Sequence, residues 1–219
     1  MIRHIINQHI AKGFAMMLYD FKYEDLSLIA WNALLKYQSS YKVVPKFYVL
    51  TLDKVRHRCN PLEPESMTDI TDAAESARTI LLGLNRDWIK KQGDFFVESG
   101  ISFLTSVIWF LKRYQNGKYC SLPHAIELMQ IDYEPLFKVL MTEPEILVLI
   151  KPFMTAFKDA PEQLEGQIAS AKIAMARLSS PQLYYILTGD DFTLDINNPA
   201  EPKIVCMGNN PQKILTYGA

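Results

Sequence analysis

Gly13-Phe-Ala-Met-Met-Leu-Tyr-Asp-Phe-Lys22 is the stretch on which the fold turns. Its centre, Phe14 to Tyr19, is a continuous apolar run that ends at Asp20. So short a run, bounded by a glycine and an aspartate, reads as a buried strand of the kind found in parallel sheets. Upstream, Ile2, Ile5, Ile6 and Ile10 recur at helical spacing, and Gly13 follows Lys12 where a helix C-cap belongs. Downstream, Leu26, Ile29, Ala30, Leu34 and Leu35 make a second amphipathic helix, ended by Ser39 and Ser40. Lys46-Phe-Tyr-Val-Leu-Thr-Leu52 is a second strand. Helix–strand–helix–strand at this spacing is half of a doubly wound α/β unit.

The texture changes after residue 60, where Pro61 and Pro64 mark a boundary. From about Met67 to Ser179 the patterns are helical. Ile70, Ala73, Ala74, Ala77, Ile80, Leu81 and Leu84 form one stripe. Phe96 to Leu111 is apolar nearly all round, which predicts a buried central helix. Leu122-Pro123-His124 opens a short helix, and Thr142-x-x-Glu145 has the spacing of a capping box ahead of Ile146, Leu149 and Ile150. Leu164, Ile168, Ala171, Met175 and Leu178 follow one helix, with Pro181 as its stop. Gln182 to Leu187 fits strand or helix. Lys203-Ile-Val-Cys-Met207 returns to strand character, entered by Pro202 and left through Gly208-Asn-Asn-Pro211. The expected organisation is an α/β start, a helical insertion of roughly 120 residues, within the usual domain range, and an α/β finish whose strand joins the first two, since a lone strand pair is marginal.

Composition narrows the function classes. The 219 residues carry 23 Lys+Arg against 24 Asp+Glu, 49% apolar and 21% charged residues. There is ample core material, so the chain is not disordered for most of its length. The near-zero net charge argues against a protein that coats polyanions at large, but says nothing about a local basic patch. Cys59, Cys120 and Cys206 are odd in number and far apart, which argues against a disulfide framework and fits a reducing cytosol. Met1 to Lys12 lacks the apolar run and cleavage site of a signal peptide. The longest apolar stretch, Ile101 to Leu111, falls well short of the ~20 residues a membrane helix needs. A soluble, cytoplasmic chain is the expectation.

Few residues carry a chemical signature. No GxxxxGK[ST] phosphate loop is present, and Gly117-Lys118 reads as a turn. His4, His9, His57 and His124 share no metal-ligand spacing, so structural or solvated roles are expected for them. Asp20 and Lys22 leave a strand at its carboxyl end, where open α/β sheets place their ligand crevice. They can touch a nucleotide or its metal, or simply form a helix-initiating turn with solvated charges. Asp190 and Asp191 read as a Gly-Asp-Asp turn. Arg86, Lys90 and Lys91 surround Trp88, and Lys112, Arg113 and Lys118 surround Tyr114. Such basic-aromatic clusters hold phosphate backbones and stack bases. With Asp87 and Asp94 beside the first, a solvated helix end is the competing reading.

Several longer phrases carry a family likeness: Gly13 to Lys22, Arg58-Cys-Asn-Pro-Leu62, Gln92-Gly-Asp-Phe-Phe-Val-Glu-Ser99, Gln163-Leu-Glu-Gly-Gln-Ile-Ala-Ser-Ala-Lys172 and Ile204-Val-Cys-Met-Gly-Asn-Asn-Pro-Gln212. They resemble conjugative coupling proteins of the TraG/TraD class, the ATPases that link a DNA–relaxase complex to a type IV secretion channel. The likeness implies a RecA-like P-loop NTPase sheet interrupted by an all-α domain. Residues 1–65 would be the N-terminal part of that α/β domain, 66–180 the inserted all-α domain and 181–219 the return to the α/β domain.

In that alignment of parts the Walker A loop falls just before Met1, the Walker B acids fall after Ala219, and the membrane anchor lies outside. The chain is thus expected to be an internal piece that hydrolyses no ATP alone. ATP and Mg are cofactors of the intact family protein, with no cofactor in this chain. The likeness puts Asp20 and Lys22 beside the nucleotide pocket as supporting groups. Asn209, Asn210 and Gln212 would line the same crevice or a central channel. Arg86, Lys90 and Lys91 are the first candidates for contact with DNA or relaxosome proteins. The intact family protein is hexameric and anchored at the cytoplasmic face of the inner membrane, and it meets type IV secretion components. The competing expectations are a non-enzymatic helical interaction module, a truncated gene product without independent activity, and, further off, an enzyme using Asp190 and Asp191.

Overall fold

The computed structural model describes residues 1–52 and 54–209. In chain order its main elements are α1 (Ile2–Ala11), β1 (Met16–Asp20), α2 (Leu26–Lys36), β2 (Lys46–Thr51), α3 (Ile70–Leu84), α4 (Phe95–Arg113), α5 (Leu122–Gln130), α6 (Tyr133–Leu140), α7 (Leu147–Asp159), α8 (Pro161–Ala176), α9 (Pro181–Leu187) and β3 (Lys203–Gly208). They form two compact units. Among the described residues, one consists of Met1–Asn60 and 181–209; the other holds Pro61–Ser180. The protein is therefore mixed α/β with many helices.

The α/β unit is built on a three-stranded parallel sheet of order β1-β3-β2. Of the described strands the one that comes last in sequence lies in the middle, so the first two are joined through it. Registers align Met16, Ile204 and Phe47 in one row, Leu18, Cys206 and Val49 in the next, and Asp20, Gly208 and Thr51 at the carboxyl ends. Side chains alternate across a strand, so these rows share a face. On it lie α1 and α2, which bring Ile6, Ile10, Ala30, Ala33 and Leu34 against Leu18, Ile204 and Cys206. The glycine after α1 takes φ +82, a backbone conformation that lets the chain turn directly into β1.

The opposite face is only partly covered. Cys59 and Phe192 pack on Val205, with Tyr48, Leu50 and Ile196 beside them, and the Tyr48 and Phe192 rings stack at 4.6 Å. Over β1 nothing comparable lies among the described residues, and Met17 and Tyr19 stay about half exposed, at 53% and 49%. The continuous apolar run at Phe14 to Tyr19 is thus a parallel strand buried on one face, because no described segment packs over the face that carries Met17 and Tyr19.

In the helical unit the expected central helix is α4. It buries twelve of its residues, Phe103, Leu104, Val107 and Ile108 completely, against α3, α5, α7 and α8. The segment Phe95–Gly117 is by length and composition apolar enough to cross a membrane, and 67% of its 18-residue apolar stretch is buried inside the fold. Asp94 caps α4, accepting from Phe96 N at 2.9 Å and Val97 N at 3.4 Å. The Arg78 guanidinium of α3 meets Glu98 of α4 at 2.7 Å.

Two local readings differ from the sequence pattern, and one that it left open is decided. The chain at Thr142–Glu145 is not a capping box: Thr142 Oγ1 donates to Val139 O, Glu143 caps a short turn over Pro144–Ile146, and α7 begins at Leu147. Pro144 makes the difference, because its fixed φ opens a separate turn. Pro181 does not stop α8, which ends at Ala176; it opens α9, the position a proline tolerates best. The ambiguous Gln182 to Leu187 is that helix. Its Leu183 and Ile186 are buried three residues apart, a helical rather than a strand repeat.

Candidate functional site

The carboxyl ends of the three strands gather Asp20, Gly208 and Thr51 beside the start of α2. Asp20 is 1% exposed. Its Oδ2 accepts from the Ser27 backbone N–H at 2.9 Å and from Ser27 Oγ at 2.8 Å, while Oδ1 is buried without a partner. The carboxylate therefore occupies the amino end of α2, where the helix dipole favours negative charge. It is not a solvated turn charge. Lys22, two residues on, is exposed. Asn209 follows β3 and ties the ends together: its backbone N–H donates to Asp20 O at 3.0 Å and its Nδ2 to the Tyr19 hydroxyl at 2.6 Å. Asn210 and Gln212 lie outside the described residues.

Gly208 lets Tyr23 sit over this edge. A Cβ there would stand 2.6 Å from Tyr23 Cδ2 and 2.9 Å from Thr51 Cγ2. Beside it opens a crevice of about 330 Å³ lined by Tyr23, Ser27, Trp31, Arg56 and His57 among others. Arg56 meets Glu24 at 3.3 Å across its mouth. Burial first, and the Glu24 charge second, raise the Tyr23 phenol above its ordinary range. His57 blocks the free edge of β2: Val49 N–H lies 3.0 Å from His57 Nδ1, and His57 N–H donates to Val49 O at 3.2 Å. None of these crevice residues except the histidine stood out in the sequence, because they come from three separate stretches that only the fold joins.

The chemistry available at the strand ends is binding and positioning. Burial, with the Asp20 charge adding to it, pushes the Cys206 thiol up to about 12, so it is no nucleophile at neutral pH. Among the described residues no group of three or more His, Cys, Asp or Glu can hold a metal ion. The described residues do not by themselves fit a nucleotide with Mg. The amides at the amino end of α2 face the Asp20 carboxylate, which puts negative charge where a phosphate would go.

Asp191 has a different partner. Its carboxylate accepts from Arg58 N–H at 2.8 Å and from the Arg58 guanidinium at 3.0 Å, while Cys59 bridges to Asp190. The hydrogen bond from Arg58 holds the Asp191 carboxyl below its ordinary value. A depressed carboxyl adds stability above its unfolded value of about 4 and loses it as pH falls through the folded value. The urea midpoint of the parent should therefore exceed that of Asp191→Asn at neutral pH, and the gap should close in acid. A gap that is constant from pH 7 to pH 2 would refute the pairing.

On the helical unit, Arg86, Lys90 and Lys91 stand on one six-residue turn, Arg86–Lys91, and all three are exposed. The turn is pinned by Trp88, which is buried; a Cβ on Gly100 would come within 3.1 Å of its ring. None of the three cations forms an ion pair among the described residues. Of the two nearby acids, Asp94 points its carboxylate at the α4 amides, which leaves Asp87 as the nearer counter-charge. The structure brings these cations together on one turn, as their sequence spacing required, and places Asp20 and Asn209 together at the strand ends.

In comparisons with known proteins, no protein-family model and no curated sequence matches the chain.

Proposed function

We propose that this chain is the part of a conjugative coupling ATPase that holds its all-α domain, and that the helical unit receives the transferred DNA or the relaxosome proteins bound to it. The observation that carries the reading is the insertion. β2 and β3 are neighbours in one parallel sheet, yet the whole helical unit lies between them in sequence. A RecA-like motor interrupted by an all-α domain has this arrangement, and the phrases from Gly13 to Lys22 and from Ile204 to Gln212 flank it as the resemblance implies. In this reading ATP and Mg belong to the Walker segments of the intact protein. Asp20 and Asn209 shape the strand ends beside that pocket, and the intact assembly works at the cytoplasmic face of a membrane next to a secretion channel.

The exposed turn Arg86–Lys91 is the contact this reading assigns to DNA. Each phosphate neutralised on a single strand contributes a slope of about −0.7 to the dependence of log affinity on log salt. Reversing all three charges (Arg86→Glu, Lys90→Glu, Lys91→Glu) should weaken binding of a labelled single-stranded oligonucleotide and flatten that slope by about 2. Fluorescence anisotropy of the full chain across a salt series measures both. An unchanged affinity and slope would refute the assignment.

A further inference from the structure

The second basic-aromatic cluster of the sequence becomes something larger in three dimensions. The rings of Phe110 and Tyr114 stack at 5.7 Å with 19° between their planes. Tyr114 lies 6.0 Å from Tyr119, and Tyr119 lies 5.4 Å from His124. These four rings form a continuous row along a groove of about 590 Å³ between the end of α4, α5 and Val139 of α6. Its volume is within the range of ligand sites. Lys118 Nζ sits 5.4 Å from the Tyr119 ring centre.

The row is held in place by its surroundings. Between Tyr114 and Lys118 the backbone takes three left-handed residues in succession, Gln115, Asn116 and Gly117. Gly117 has no room for a side chain, since a Cβ would lie 2.7 Å from Pro64 Cβ, and Lys112 Nζ bonds to Pro64 O on the same turn. His124 is fixed by Ser121, whose Oγ is 2.6 Å from Nδ1. Yet Tyr114 remains 45% exposed. A large ring held in a fixed position but open to solvent presents a stacking face at little entropic cost.

We propose that this groove binds unpaired nucleobases of single-stranded DNA by stacking. This rests on the reading that the helical unit handles DNA, and it adds a site distinct from the Arg86–Lys91 turn. The lining favours a base over a phosphate inside the groove: beside the rings it is mostly apolar, with Leu111, Leu128, Ile131 and Val139 in its walls. Lys118, over the Tyr119 ring, is the cation that meets the backbone outside. Stacking on aromatic rings tolerates any base, because every base has a π-face.

The test uses the full chain and two labelled strands of about 12 nucleotides, a length within known single-strand site sizes. One carries bases; the other is abasic with the same phosphates. The base-bearing strand should bind about tenfold more tightly. Tyr114→Ala should lose that advantage while leaving the salt slope and the abasic affinity unchanged, and Tyr114→Phe should keep it. The Arg86/Lys90/Lys91 charge reversal should do the opposite, flattening the slope and keeping the preference for bases. Equal affinity for the two strands, or a Tyr114→Ala variant that binds as tightly as the parent, overturns the proposal and leaves the groove to an apolar protein segment. Absence of binding to either strand overturns both this inference and the DNA-handling reading; salt-dependent binding without base preference overturns this inference alone.

Discussion

Gly189→Ala is expected to destabilise the α/β unit by about 3 kcal/mol, the upper part of the range for overpacking a tight site. Gly189 is buried, and a Cβ built on it would lie 2.1 Å from Arg58 Cβ, with Arg58 Nε and Cδ at 2.8 and 2.9 Å. The first of these atoms is the root of a side chain and cannot swing aside. Arg58 cannot move as a whole either. Asp191 holds both its backbone N–H and its guanidinium, and the next residue donates from Cys59 N to Ile186 O at 3.0 Å. The segment after β2 is therefore clasped against the turn after α9, and any added methyl group must force the clasp open. Amide hydrogen exchange in β3 reports the opening directly. Protection there should fall by roughly a hundredfold, as 3 kcal/mol implies at 1.4 kcal/mol per factor of ten. Unchanged protection in β3 would show that the clasp relaxes at no cost.

Lys203→Met should cost about as much, through lost polar contacts. Lys203 opens the central strand and is 1% exposed. Its ammonium donates to Thr193 Oγ1 at 3.1 Å and to Asp195 O at 3.0 Å, with Glu201 Oε2 at 3.9 Å. Glu201 also pairs with Lys46 of the neighbouring strand. The ammonium thus ties residues 193–201 to the sheet. Methionine keeps the length and most of the apolar stem, so the substitution isolates the charged head. It leaves the Asp195 carbonyl and the Thr193 hydroxyl short of a donor and strips one cation from the Glu201 pair. Breaking a buried pair from one side costs ~3–5 kcal/mol. Glu201 is partly exposed and water can replace some of its loss, so about 2–3 kcal/mol is expected. A urea titration comparing Lys203→Met with Lys203→Arg checks it. A Met variant as stable as the parent would mean that the loop holds without the ammonium.

The elements were legible where local periodicity was strong. Phe14 to Tyr19, Lys46 to Leu52 and Lys203 to Met207 announced strands because each is a short apolar run between breakers. The spacing of Leu164, Ile168, Ala171 and Met175 announced α8, and unbroken apolarity announced α4 as a core helix. Prolines mark the places where pattern and fold part. Pro181 looks like a helix stop in a one-dimensional pattern but begins a helix, and Pro144, inside the Thr142–Glu145 spacing, begins a turn of its own. The candidate site was legible only in its parts. Asp20 stood out at the end of a strand, but nothing in the sequence pointed to Ser27 as its partner seven residues on. Lys203 looked like a polar residue at the edge of a strand. Arg58 and Asp191 are 133 residues apart, and no spacing rule connects them.

By itself, then, the sequence determined the three strands and the long helices, that a long helical part separates the second strand from the third, and which residues carry charge on a single turn; it left Gln182 to Leu187 open between strand and helix. These follow from interactions within a few residues, where hydrophobic period and backbone preference act. Only the tertiary structure decided that the third strand lies between the first two, that Asp20 closes the end of α2, that Asp191 belongs to Arg58, and that four rings from α4, α5 and the turn between them line one groove. Those outcomes depend on contacts between distant segments, formed when apolar faces are buried together, and their polar partners are chosen by what the packing brings within hydrogen-bond reach.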